Sequence, residues 1–224
     1  MYRKDQWPFY PDRLSEIIDE ETLKVIQSGS CERAKRSLVI VESNPQNDGM
    51  HRIPSIALNQ RYSPFCKLYR DDQFVPGGEK HCQTCDNEQA AFSLQEFKRT
   101  GEPFRSFQCH MNLIDTTYGI QIKNRPVAVI FAGQYRSDGK ATEIEDAVIA
   151  LGSGTHADIR ISDDQKEQLI QVVDELDPFP PDVQDRLKRE AEHIQEIAMA
   201  AFKNGKLAWE EEFLDDLRKT AGNS

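Results

Sequence analysis

Apolar and polar positions follow two different periods along this chain, and each change of period marks an element. Asp19 suits a helix N-cap, and Glu20 and Glu21 suit the first turn. Ile18 and Leu23 fall at the two staple positions, and Ser28-Gly29-Ser30 ends the predicted helix. Ser37 to Glu42 reads as a buried strand, Asn44 to Gly49 as a loop, and Ile53 to Leu58 as a second strand. Ser63-Pro64 pairs an N-cap with proline at the first helical position. The short helix it opens carries Phe65, Cys66, Leu68 and Tyr69. After a break at Val75-Pro76-Gly77-Gly78, Glu79 to Arg99 is helical, with Ala90, Leu94 and Phe97 on a buried face. Gly101 lies just past its end.

A block of strands follows. Phe104 to Cys109 places Phe107 and Cys109 on one face, and Leu113 to Ile122 does the same for Ile114, Tyr118, Ile120 and Ile122. Val127 to Phe131 is a continuous apolar run, as expected of a strand covered on both sides. The turn Lys123-Asn124-Arg125-Pro126 makes its pairing antiparallel. Ser162 and Gln165 form a capping box for a helix through Leu176. Past Pro178, Pro180 and Pro181, Asp182 to Lys203 is a second helix, with Leu187, Ala191, Ile194, Ala198 and Ala201 in 4-3-4-3 spacing. That stripe suits either a coiled coil or packing within the chain. Asn204-Gly205 then stops the helix, and Leu207 to Lys219 forms a third.

The expected organisation is an N-terminal arm over 1–17, a sheet-bearing domain over 18–138, a loop over 139–161, and a helical signalling or dimerisation region over 162–224. The arm holds Trp7-Pro8-Phe9-Tyr10-Pro11, aromatics that pack on the domain or on a second subunit.

Composition narrows the function. The chain has 224 residues and a net charge of −10, most of it from Ser162 to Lys219, where 16 acidic residues face 8 basic ones. Nucleic-acid backbone binding needs clustered Lys and Arg, so it is not expected. No apolar run approaches the roughly 20 residues of a membrane span. Met1-Tyr2-Arg3-Lys4-Asp5 opens no signal peptide, so a cytoplasmic location is expected.

Five cysteines in such a chain point to metal or redox chemistry rather than structural disulfides. Cys82-Gln83-Thr84-Cys85 places two thiols at i and i+3 near a helix N-terminus, where the dipole favours thiolate. With Cys66 and Cys109 they supply the four ligands of a tetrahedral zinc site, and His81 or His110 could replace one of them. Buried apolar thiols, a redox pair and, ranked last for want of a better-matched motif, an iron–sulfur cluster are the other readings of the same residues.

Four motifs carry a resemblance to the PocR family of bacterial sensory domains. They are Phe65-Cys66-Lys67-Leu68, Cys82-Gln83-Thr84-Cys85-Asp86, Cys109-His110-Met111-Asn112-Leu113-Ile114-Asp115 and Ile130-Phe131-Ala132-Gly133-Gln134. The resemblance spans roughly Ile18 to Gln134. It implies an α+β fold, a PAS-like antiparallel sheet flanked by helices, with the C-terminal helical region behind it. It also implies a small organic ligand, diol-like hydrocarbon derivatives among the candidates. Met111-Asn112 and Ala132-Gly133 depart from the family's usual Ala-Gly and Gly-Gly, which leaves the ligand's identity open.

The residues themselves are consistent with a pocket. Phe107, Tyr118 and Phe131 can form apolar wall, and His110, Asn112 and Gln134 can supply hydrogen bonds. The expected function is a sensor that is not an enzyme. The C-terminal helices pass its signal to an output domain or partner protein, and the chain pairs as a homodimer. A cysteine-based redox sensor and an interaction adaptor without small-molecule ligand are the alternatives. Gly152-Ser153-Gly154-Thr155 lacks the lysine and the length of a phosphate loop.

Overall fold

The computed structural model describes residues 11–44, 49–53, 61–137 and 141–221, with the backbone alone for Thr155 and for 206–221. The predicted arm over Trp7 to Tyr10 and most of the predicted strand Ile53 to Leu58 lie outside the described residues. Helix α1 (Glu20–Ala34) is capped by Asp19, whose side chain accepts from Thr22 N. It runs through Gly29 rather than ending there, because Ser30 and Cys31 beyond it are buried, and Lys35 supplies the left-handed cap instead.

Five strands form one antiparallel sheet: β1 (Leu38–Ser43), β2 (Met50–Arg52), β3 (Phe104–Gln108), β4 (Ile114–Ile122) and β5 (Arg125–Tyr135). Their order is β2-β1-β5-β4-β3. This is the expected α+β, PAS-like arrangement, with helices flanking the sheet. β5 is central and pairs Val39 with Phe131 on one side and Tyr118 with Ile130 on the other. Its run from Val127 to Ala132 is buried throughout. Lys123 and Asn124 both take positive φ in the β4–β5 turn, the geometry of a two-residue hairpin. β2 is short, and Gln27 completes the hydrogen bonding where it ends. The fully buried amide of Gln27 accepts from Ile40 N at 2.6 Å and donates to Ile53 O at 2.8 Å.

Two short connections position the cap of the molecule. Helix α2 (Pro64–Tyr69) starts as predicted, with Ser63 accepting from Cys66 N. Helix α3 (Gly78–Thr100) follows and buries Cys82, Asp86, Ala90, Leu94 and Phe97 along one face. Gly78 is required here, since a Cβ would stand 2.0 Å from the Tyr69 carbonyl oxygen.

Three sequence expectations are corrected in the last third. Residues 139–161 are not simply a loop: helix α4 (Ala141–Ile149) and a 3-10 turn (Gly154–His156) lie within it. Ile144, Val148 and Leu151 are spaced to bury one side of that segment. Helix α5 (Asp163–Gln171) has the predicted capping box but ends before Leu176. Helix α6 (Val183–Ala221) is one helix of 39 residues that passes through Asn204-Gly205. Its backbone hydrogen bonding continues there because tertiary contacts already hold the preceding turns, and one glycine costs only about 1 kcal/mol. Leu187, Ala191, Ile194, Ala198 and Phe202 of α6 are buried with the sheet and α1 in one core. The stripe with coiled-coil spacing is therefore packed within the chain. No described helix is long and apolar enough to cross a membrane.

Candidate functional site

A small cavity of about 30 Å³ lies between the sheet and the cap. That is room for about two water molecules. Val39 and Phe131, paired across β1 and β5, form its floor with Ala132 to Gln134. Phe65, Cys66 and Tyr69 of α2 and Cys82 and Asp86 of α3 form the roof, and the β3–β4 turn from Cys109 to Leu113 closes one side.

The end of β5 is built for close approach. A Cβ on Gly133 would stand 1.6 Å from Asp115 Oδ1, so only glycine lets that carboxyl reach the strand. Asp115 Oδ1 accepts from Gln134 N at 2.9 Å. Gln134 holds a φ of 70°, and its Oε1 accepts from Ser63 N at 2.6 Å. The predicted Gly-Gln motif thus ties the central strand to the N-cap of α2.

Charge enters through an ion network that is nearly buried. Asp86 Oδ2 accepts from Arg70 Nη2 at 2.8 Å and forms an ion pair with Arg52 Nη1 at 3.1 Å. Arg70 Nη1 also reaches Glu79 at 3.1 Å. Burial opposes the Arg70 charge, but its neighbours, Asp86 foremost, together outweigh it and hold the pKa above its usual value. Burial raises the Asp115 carboxyl to about 7, with the Asp86 charge adding to the effect. Tyr69 OH, Ser37 Oγ and Arg70 Nε are buried with no hydrogen-bond partner among the described residues, and all three residues line the cavity.

The sequence-predicted ligand residues divide. His110, Phe131 and Gln134 line the cavity. Phe107 packs edge-on against Phe131, with ring centres 5.5 Å apart, and together with Tyr118 it abuts the sheet core instead. Asn112 stands in a left-handed turn, φ 58°, which directs its amide to Glu143 O of α4 at 2.8 Å. Sequence reasoning did not select Arg52, Tyr69, Arg70, Asp86 or Asp115 as site residues. One signal was available: Asp86 sits at 4-residue spacing between Cys82 and Ala90, an acid on a buried stripe.

The predicted metal ligands also divide. Cys66, Cys82 and Cys109 line the cavity, whereas Cys85 joins Cys109 in an outer groove that Lys80, His81, His110 and His156 also line. Burial pushes Cys66 up to about 12 and Cys85 to about 11, and raises Cys82 and Cys109 as well. Burial thus favours the protonated form of all four thiols. Burial, reinforced by His156 and His81, lowers His110 to about 4, so its ring is neutral. As the side chains stand, no three His, Cys, Asp or Glu among the described residues form a group that could hold a metal ion.

The family model described as "Sensory domain found in PocR" matches residues 16–201. The chain belongs to the PocR sensory-domain family. The match takes in the whole sheet, the cap and the first half of α6, so the PocR domain includes the C-terminal helix that packs on β4. No curated protein matches the chain. Among solved structures, the GAF domain/HD domain protein from Geobacter sulfurreducens is similar at 12% identity and a TM-score of 0.30. The alignment covers 82% of this chain and 98% of that one, and at that score it carries no weight for function.

Proposed function

We propose that this PocR domain is a cytoplasmic, non-enzymatic sensor that binds a small organic molecule in the cavity between the sheet and the cap. The observation that carries this reading is that Ser37 Oγ, Tyr69 OH and Arg70 Nε, buried on the wall of one cavity, have no hydrogen-bond partner among the described residues. Unpaired buried polar atoms cost free energy that a hydrogen-bonding ligand returns. With room for about two waters, a larger ligand must lift α2 or the β3–β4 turn, and that movement is the signal. It reaches α6 through the sheet, and α6 hands it to an output domain, a partner protein or a second copy of the chain. Burial, which disfavours the thiolate while no metal is bound, favours this over thiol redox sensing, because the thiolate is the reactive form. A zinc clip on Cys66, Cys82, Cys85 and Cys109 belongs to the same proposal; it requires Cys85 to turn inward from the outer groove.

The test is calorimetric titration with two- to four-carbon diols and carboxylic acids, on the wild type and on Tyr69→Phe. Saturable binding of at least one compound is expected, weakened roughly tenfold in Tyr69→Phe, as for the loss of one buried hydrogen bond. Absence of saturable binding, or equal affinity in the variant, would refute ligand sensing in this cavity.

A further inference from the structure

Two short segments of this acidic chain carry the same Arg-x-Lys-Arg pattern, Arg33-Ala34-Lys35-Arg36 and Arg186-Leu187-Lys188-Arg189. The first spans the last turn of α1 and its cap, and the second lies in the first turns of α6. The fold brings all four arginines to the wall of one groove of about 290 Å³, beside Tyr135 at the end of β5. The two lysines are not on that wall, and Glu190 is the one acid on it among the described residues. A chain with a net charge of −10 thus carries a basic concavity.

The four guanidinium groups are held differently. Arg33 donates to both oxygens of Glu190, from Nε at 3.2 Å and from Nη2 at 2.7 Å. The Glu190 side chain is 15% exposed, so this fork neutralises the groove's acid in place. Arg36 stacks with its guanidinium carbon 4.2 Å from the centre of the Tyr135 ring and donates from Nη2 to Asp177. Arg186 donates from Nε to Asp182 at 2.8 Å. Asp177 and Asp182 lie off the wall and are 67% and 48% exposed, and ion pairs open to water in this way are weak and exchangeable. Arg189 has no hydrogen-bond or ion-pair partner among the described residues. Arg36, Arg186 and Arg189 therefore keep most of their N–H donors uncommitted.

A planar guanidinium presents donors in a fork that matches the oxygens of a phosphate group. Burial raises the Tyr135 pKa, and the Arg36 and Arg186 charges both pull against it, which places the two cations about one ring. A doubly charged phosphate bridges such a set better than a carboxylate does, because one tetrahedral group offers oxygens to two or three guanidiniums at once. The groove is at the lower end of ligand pockets, which run upward from roughly 300 Å³, so it fits a phosphate group with a few carbon atoms rather than a stretch of polymer. We propose that Arg36, Arg186 and Arg189 bind the phosphate group of a small metabolite, or free phosphate, in this groove. Arg33 is the positioning residue that keeps Glu190 neutralised. The site is separate from the cavity under the cap, since the two walls share Ala132 alone among the described residues.

The test is calorimetric titration of the full chain with inorganic phosphate and with methyl phosphate, at an ionic strength fixed with chloride. Arg189→Gln, the double variant Arg186→Gln/Arg189→Gln, Lys188→Gln and Tyr69→Phe are titrated in parallel, with circular dichroism as the check on folding. Lys188→Gln removes the same charge from the same turn of α6, but Lys188 lies off the groove wall, 3.8 Å from Glu192. One-to-one saturable binding of at least one probe is expected. It should weaken about tenfold in Arg189→Gln, the scale of one charge-assisted hydrogen bond, and further in the double variant. Affinity should be unchanged in Lys188→Gln and Tyr69→Phe. Arg189 makes no described contact that its replacement would break, so that variant is decisive even if the double variant is less stable. Tighter binding of methyl phosphate assigns the site to a phosphate ester, and tighter binding of inorganic phosphate to the free ion. No saturable binding of either probe, unaltered affinity in Arg189→Gln, an equal loss in Lys188→Gln, or a loss in Tyr69→Phe would overturn the assignment.

Discussion

The sheet core and the cap solve opposite problems with side chains of similar burial. The core joins β1, β4 and β5 to α1 and α6 in one continuous apolar cluster, with Gln27, Glu42 and Thr117 as isolated buried polar residues beside it. The cap packs α2, α4 and α5 around Phe65, Tyr69, Met111, Ile144 and Leu169, with an ion network, three thiols and unpartnered polar atoms set among or beside them. An apolar core tolerates few arrangements, because every displaced side chain leaves a void. A polar network has alternatives, since its groups can exchange one partner for a ligand or water. The sheet is thus the frame and the cap the responsive part. Local opening is expected to be easiest where apolar contact is interrupted in this way.

The sharpest break of this comparison is Arg70→Ala. It leaves Asp86 nearly buried with Arg52 as its remaining cation, and a loss of about 3–5 kcal/mol is expected from denaturant unfolding. Ligand response should disappear with it. Ile130→Ala tests the other region. Ile130 is central in β5 and 1% exposed, so truncation should cost about 2–5 kcal/mol. Calorimetric affinity for the cavity ligand should nonetheless be retained in the fraction that folds, and a matching loss of affinity would show that frame and cap are not separable. The smallest effect concerns the Arg33–Glu190 pair that links α1 to α6, at 2.7 Å. Burial raises the Glu190 pKa, but the hydrogen bonds from Arg33 and Ser30 together with the Arg33 charge outweigh it, so the folded value lies below the ordinary 4.5. A lowered carboxylate pKa contributes stability above the unfolded value and loses it as pH falls through the folded one. The stability difference between wild type and Glu190→Gln should therefore be under about 1 kcal/mol at pH 7 and shrink as the pH falls below the ordinary 4.5. A difference that persists at low pH would mean that packing, not charge, joins the helices.

How far the sequence could be read follows from the same contrast. Ser63-Pro64, the Ser162–Gln165 box and the Val127 to Phe131 run were legible because caps and apolar runs act over a few residues. Gly29 and Asn204-Gly205 misled because tertiary packing outweighs the roughly 1 kcal/mol that a glycine costs a helix. At the site, His110, Phe131 and Gln134 were legible through their motifs, and the inward path of Asp86 was implicit in its spacing. Arg52, Tyr69 and Arg70 carried no local sign of the cavity, since nothing near them in sequence says that β2 and α2 meet over β5.

By itself the sequence determined the elements of this protein, the alternation that makes an antiparallel sheet, and the PocR motifs that place it among sensory domains. Those follow from local sterics, capping and side-chain period, which each residue carries with it. Only the tertiary structure decided which charges face one another across the cap, which thiols share a cavity, and that three histidines from segments 29 and 46 residues apart meet in one groove. Those depend on where the chain returns in space, and the balance of burial against pairing there is set by all the neighbours at once.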